Sequence, residues 1–193
     1  KWRSPYLVDS LVRHITDVGL LRAIGDLTPE WHEKTKTVLC TGKSFFSYSL
    51  DEVTLVGNQR EDIEHLQEIA YSIYYPTEDK WSGLKVLEVP EKLKNGDDFF
   101  CVNAGCTQRV DLPNGDVLLP VRYLKDKNYV STVLLCTYDG KELRYVKHGT
   151  TFTVEPHRGL YEPSIGYHNG EFFLTMRGDE SAFVAKSKNG LNY

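Results

Sequence analysis

Methionine occurs once in these 193 residues and cysteine four times. No apolar run approaches the roughly 18 residues that a transmembrane helix requires, so no membrane-spanning helix is predicted. Basic clusters are also missing. The formal net charge is −4, and without grouped Lys and Arg the chain lacks the footprint of a nucleic-acid binder. The opening KWRSPYLVDS has no apolar segment after its basic start, so it does not read as a signal peptide. Cys101 and Cys106 could begin a metal site, but no second pair or nearby His completes a zinc set, and no metal or cofactor is expected. Cys40 and Cys136 lie within apolar runs (TVLCTG and VLLCTY) and read as small buried hydrophobes. The cysteines leave the redox compartment open.

What the chain has in quantity is aromatic residues and turns. Twelve Tyr, eight Phe and three Trp suit a strand-rich fold. From about residue 34 onward, short strand-like runs alternate with Pro-Asn-Gly, Asp-Gly and Asn-Gly turns, as in all-β folds built from hairpins. The runs are 34–48, 68–75, 84–89, 107–110, 117–124, 130–138 and 143–146, followed by two strands around Asn169-Gly170. The segment 9–21 has some helical periodicity and reads equally as two short strands. The charged stretch 49–67 interrupts the pattern and is expected to be an exposed loop insertion in an otherwise single domain.

Two internal repeats organise the rest. Gly115–Arg122 (GDVLLPVR) matches Gly170–Arg177 (GEFFLTMR), and the turns Asp139-Gly140 and Asn189-Gly190 recur at a similar interval. About four strands per repeat of about 50 residues fits the blade of a β-propeller. The predicted fold class is therefore all-β, a propeller of four-stranded antiparallel blades with about three to four blades present.

Particular residues then bring in a family. Glu162-Pro163-Ser164 is followed by a hairpin and by Arg177, and SKNGLNY at 187–193 resembles a degenerate Asp-box with Asn189 in place of Asp and Tyr193 in place of Trp. GDLTPEWH, GCTQRVDLPNG and RGLYEPS are similar to segments of sialidase-like proteins, and the resemblance runs from about Gly25 to Tyr193. It implies a propeller that is six-bladed when complete, acting as an exo-glycoside hydrolase on an acidic sugar. Arginines would grip the sugar carboxylate, a Tyr would act as nucleophile, a Glu would polarise that Tyr, and an Asp would serve as general acid. The resemblance carries the Glu role to Glu162 and one arginine role to Arg177. It puts the nucleophilic Tyr and the last arginine beyond Tyr193. It also implies a secreted or periplasmic location and a glycan as the partner.

The surrounding candidates for substrate binding are Arg122, one repeat before Arg177, and Arg158 and Tyr161, ahead of Glu162. Gln108 joins them because side chains alternate along a strand and one of Gln108 and Arg109 must face inward. His32 is a possible acid/base group at the start of a strand, while His168 is expected at a hairpin tip. Trp31 and Trp81 are expected to pack between blades. Two other readings keep parts of this set: a polysaccharide lyase or other hydrolase on uronic-acid glycans, and a non-catalytic glycan-binding propeller.

Overall fold

The computed structural model describes residues 5–17, 19–47, 66–155 and 158–193. The predicted insertion lies outside these except for Leu66 and Gln67, and Gln67 belongs to a strand. After a 3-10 turn at Asp9–Leu11 come β1 (His14–Ile15), β2 (Leu21–His32), β3 (Thr37–Ser47), β4 (Gln67–Tyr75), β5 (Lys80–Trp81) and β6 (Lys85–Val86). Then follow β7 (Phe100–Asn103), β8 (Val110–Asp111), β9 (Val117–Lys125), β10 (Asn128–Tyr138) and β11 (Leu143–His148). The last three are β12 (Tyr161–His168), β13 (Glu171–Arg177) and β14 (Ala182–Ser187).

These strands form three antiparallel sheets in sequence order: β1-β2-β3-β4-β5 with β6 on β4, then β11-β10-β9-β7 with β8 on β9, then β12-β13-β14. The fold is all-β, with successive sheets stacked as blades, as the repeats predict. Among the described residues, only the middle blade has four strands along its main path. The start of the chain resolves into a 3-10 turn and a short strand rather than a helix. The long strand β2 was not anticipated, because Gly25, Pro29 and an extra residue near Asp26 break its period of two.

The core is two interfaces between blades. Leu39, Ile69, Ile73, Val117, Leu119, Val121 and Leu134 fill the first. Leu118, Val133, Ile165, Leu174 and Met176 fill the second. Strand β9 therefore feeds both, with Leu118 facing one way and Val117 and Leu119 the other. That is why its sequence is a continuous apolar run rather than an alternating one. Polar pins join the first two blades. Arg109, whose side chain is 1 % exposed, donates to the carbonyls of Leu39 (2.7 Å) and Glu30 (3.1 Å) and grips Asp111. The Thr37 and Tyr138 hydroxyls meet at 2.8 Å.

Candidate functional site

In each blade one strand loses step with its neighbour, and all three do so in the same way. In the first blade Gly25 pairs with Lys43 and Thr28 with Thr41. In the third, Tyr161 pairs with Arg177 and Ser164 with Thr175. In the middle blade Phe100 pairs with Leu124 and Asn103 with Arg122. All three bulges insert one extra residue, and the residue after the first pair adopts a left-handed backbone: Asp26 at φ 54°, Cys101 at φ 50° and Glu162 at φ 51°. The middle blade makes a wider excursion between Asn103, which pairs with Arg122, and Val110. Cys106 lies inside it at φ 59°. Three left-handed residues and three strand cations are thereby set around one space: Asp26 and Glu162 from their bulges and Cys106 from the loop between β7 and β8, with Lys43, Arg177 and Arg122.

All six line one cleft of about 140 Å³, together with Asn103, Gly105, Tyr129, Arg158 and Tyr161. Lys43 pairs with Asp26 at 2.7 Å and Arg177 with Glu162 at 3.0 Å. Arg158 is brought in by the backbone, where its carbonyl accepts the Tyr129 N–H at 2.7 Å and Leu160 N–H returns to the Tyr129 carbonyl. Gly159 between them leaves no room for a side chain, since a Cβ there would stand 2.1 Å from the Tyr129 oxygen. Asp179 then holds the Arg158 guanidinium (Nε–Oδ1 2.6 Å), and the Tyr161 hydroxyl donates to the same carboxylate at 3.1 Å.

Two aromatic rings support the arginines. The Arg122 guanidinium sits 3.9 Å from the Tyr129 ring centre. Those of Arg158 and Arg177 lie 4.5 Å and 5.1 Å from Tyr161. These are cation–π distances, and they place Tyr161 beneath the arginines as a buried support. Asn103 is buried as well; its side chain accepts from Gly105 N–H (3.1 Å) and donates to Gln67 Oε1 at 2.6 Å.

The electrostatics follow from these pairs. Partial burial pushes the Asp26 carboxyl up, but the Lys43 hydrogen bond and charge and the Cys106 thiol outweigh it, so Asp26 is held below the usual range. The Cys106 thiol is pushed up, first by burial and then by the Asp26 and Glu162 charges. The Arg158 hydrogen bond draws Asp179 well below the ordinary carboxylate value. The cleft therefore holds Asp26 ionised and paired with Lys43, beside guanidinium groups and a thiol held toward its protonated form.

Of the sequence-derived candidates, Glu162, Arg177, Arg158, Tyr161 and Arg122 all line this cleft. Gln108 does not. It is exposed, with its N–H on Ser164 Oγ at 3.1 Å, while its neighbour Arg109 is the inward residue and serves the blade interface. His32 also lies elsewhere. It is 1 % exposed, touches the Gly115 carbonyl (3.0 Å) and Thr35 Oγ1 (2.8 Å), and packs edge-on against Tyr138. His168 is exposed beside the β12–β13 turn. Trp31 is 45 % exposed rather than packed between blades, and Trp81 tilts against Tyr74 of its own sheet. All four cysteines are free, two of them buried. Among the described residues no group of His, Cys, Asp or Glu is placed to hold a metal ion.

Asp26, Lys43, Asn103 and Tyr129 were not anticipated. A signal for the first existed: Asp26-x-Thr28 and Glu162-x-Ser164 share an acid-x-hydroxyl spacing, and both acids sit on the bulge.

No family model and no curated protein matches the chain. Solved structures do. Trypanosoma rangeli sialidase in complex with the inhibitor DANA superposes with a TM-score of 0.60 at 12 % identity, over 88 % of this chain and 27 % of that one. The same sialidase with sialic acid gives 0.59 at 13 % identity, with the same coverage of both chains. The Hadza microbial sialidase Hz136 gives 0.55 at 12 % identity, covering 88 % of this chain and 32 % of that one. The chain thus spans about a third or less of the length of the sialidases it matches. At this identity the likeness establishes architecture, and three antiparallel blades around a charged cleft have the fold of a sialidase-type β-propeller.

Proposed function

We propose that the chain forms part of a glycan-active enzyme, an exo-acting glycoside hydrolase on an acidic sugar. The observation that carries this reading is the convergence of Arg122, Arg158 and Arg177 on the cleft that also holds Glu162. Planar guanidinium groups bind a carboxylate through paired hydrogen bonds, which suits a sugar acid. The solved neighbours bound to sialic acid and to DANA are consistent with such a ligand.

In this reading Glu162 takes up or polarises a proton on a nucleophile, and Arg177, 3.0 Å away, orients its carboxylate. A hydroxyl nucleophile would suit a carboxylated sugar, because an anionic one would be repelled by the substrate's own charge. Asp26 is a second acid facing the same space.

The test is release of fluorophore from a fluorogenic sialoside by the protein in the form its host makes, beside its Glu162→Gln and Arg177→Ala variants. The expected result is turnover that each substitution lowers by a factor of about 100 or more, the scale of general acid–base catalysis. Binding without turnover, unchanged in Glu162→Gln, would instead identify a glycan-binding propeller. An unsaturated, ultraviolet-absorbing product from a uronic-acid polymer would identify a lyase.

A further inference from the structure

A second cavity shares no lining residue with the cleft. It measures about 530 Å³, against about 140 Å³ for the cleft, and so falls within the roughly 300–1,000 Å³ of ligand pockets. Its walls come from β4, β6 and Glu88 of the first blade, and from Glu142 and the start of β11 in the second. The outer edge of the first blade is split into β5 and β6, each two residues long, and this short edge leaves space beside the six-residue β11.

The groups that face this space are not all spent on one another. Tyr71 is 3 % exposed, and its hydroxyl accepts Leu143 N–H at 3.3 Å. Among the described residues its hydroxyl hydrogen has no acceptor, so one buried donor remains for the cavity. Lys85 is the register partner of Tyr71 on β6, which puts both side chains on the same face of the sheet. Among the described residues neither Lys85 nor the exposed Glu88 has an ion pair. Arg144 does: it is held by Asp139 at 2.8 Å and by Glu142. Tyr145, half-buried against the core between the blades, supplies an aromatic wall.

We infer that this crevice is a binding site for a short neutral oligosaccharide, separate from the cleft. The lining decides the class. Lys85 and Arg144 are balanced by Glu88 and Glu142, so the field favours neither an anion nor a cation. A sugar hydroxyl is donor and acceptor at once, and can accept from Tyr71 or Lys85 while a neighbouring hydroxyl donates to Glu88. Tyr145 and Val86 remain for the apolar face of a sugar ring. A free amino acid would also satisfy Lys85 and Glu88, but it would leave most of the volume empty. The site goes beyond the hydrolase reading and stands whether or not the cleft turns over a sugar acid.

The experiment is an NMR titration of the ¹⁵N-labelled protein with lactose, N-acetyllactosamine, maltotriose and xylotriose, with glycine and sodium acetate as charged probes. At least one of the four sugars is expected to move the backbone amides of 85–88 and 142–145 and to leave those of Arg122, Arg158 and Arg177 in place. Glu88→Gln and Lys85→Met should each weaken that binding about tenfold, the scale of a hydrogen bond to a charged group, while Lys85→Arg retains most of it. Tyr71→Phe keeps the ring and should weaken it about threefold or more. If Tyr71→Phe also lowers the melting temperature, Glu88→Gln, on an exposed side chain, remains the deciding variant.

None of the four sugars moving these amides overturns the proposal, as does binding that Glu88→Gln and Lys85→Met leave unchanged. Shifts confined to the cleft would assign the sugar there and overturn it too. Glycine or acetate binding the crevice as tightly as the sugars would make it a site for charged ligands and overturn the neutral class. Sialoside hydrolysis tests the cleft separately, so either reading can fail without the other.

Discussion

Replacing Arg109 with Met tests how the first two blades are held together. Arg109 is almost completely buried and makes four hydrogen bonds, two to Asp111 and one each to the Leu39 and Glu30 carbonyls. Methionine fills much of the same volume but supplies no donors. It leaves the Asp111 carboxylate, whose side chain is 17 % exposed, facing two carbonyls with no intervening cation. Breaking a buried charge pair from one side costs about 3–5 kcal/mol, because the surviving charge stays desolvated. For a domain of this size about 3 kcal/mol corresponds to a fall in Tm of about 6–12 °C. Removing the stranded charge as well, in Arg109→Met/Asp111→Leu, should restore about 1–3 kcal/mol, since an apolar pair of similar shape leaves less unsatisfied. Urea unfolding followed by intrinsic fluorescence, with the m-value checked for constancy, measures both steps. A single variant within about 0.5 kcal/mol of wild type, or a double variant less stable than the single, would refute this account of the interface.

Three further outcomes are expected. Gly159→Ala places a Cβ 2.1 Å from the Tyr129 carbonyl at φ +77°, whereas Gly170→Ala meets nothing within 4 Å at φ +80°. Thermal melting should therefore show Gly170→Ala losing only the backbone penalty of about 1 kcal/mol and Gly159→Ala losing about 1–3 kcal/mol more; equal losses would mean that the close approach does not matter. Iodoacetamide should alkylate Cys106 before the buried Cys40 and Cys136, more slowly near neutral pH than a free thiol. The reaction should speed up in Asp26→Asn and Glu162→Gln, which remove the charges holding the thiol protonated; unchanged rates in both would remove that cause. Burial pushes Tyr123 and Tyr193 each up to about 12. The unfolded chain then releases these protons first as pH climbs above about 10, so stability should fall from there toward about pH 12. A flat urea midpoint across that interval would contradict it.

The sequence disclosed the strands wherever regular alternation or an apolar run ended at a Gly-containing turn, and the repeat of GDVLLPVR in GEFFLTMR corresponds to second strands of successive blades. It concealed β2, because the bulge at Asp26 shifts the alternation midway and a reader tracking every second residue loses the face. The same cause assigned Gln108 inward in place of Arg109: the chain between β7 and β9 departs from regular pairing, so counting by twos inverts the faces. His32 was illegible for another reason. Its ring meets the carbonyl of Gly115, 83 residues away, and nothing near it in sequence announces that it is enclosed. Arg122, Arg158, Tyr161, Glu162 and Arg177 could be proposed together because a repeat and a short segment name them. Lys43 and Asn103 reach the cleft only through strand pairing between segments far apart in sequence.

The three left-handed positions have a consequence for how this molecule could change. Side chains other than glycine adopt that backbone at a cost of about 1–2 kcal/mol each, so Asp26, Cys106 and Glu162 are held against the local preference of the chain. Glycine at any of the three would relax the backbone and remove a functional group from the cleft in one step. Because the paired strands define the bulges at Asp26 and Glu162, and the connection from β7 to β8 defines the turn at Cys106, each identity can be exchanged while the blade persists. One blade presents an aspartate there, one a thiol and one a glutamate. A mutational library confined to these three codons would vary the chemistry of the cleft on an almost constant scaffold, and its most stable members should be its emptiest.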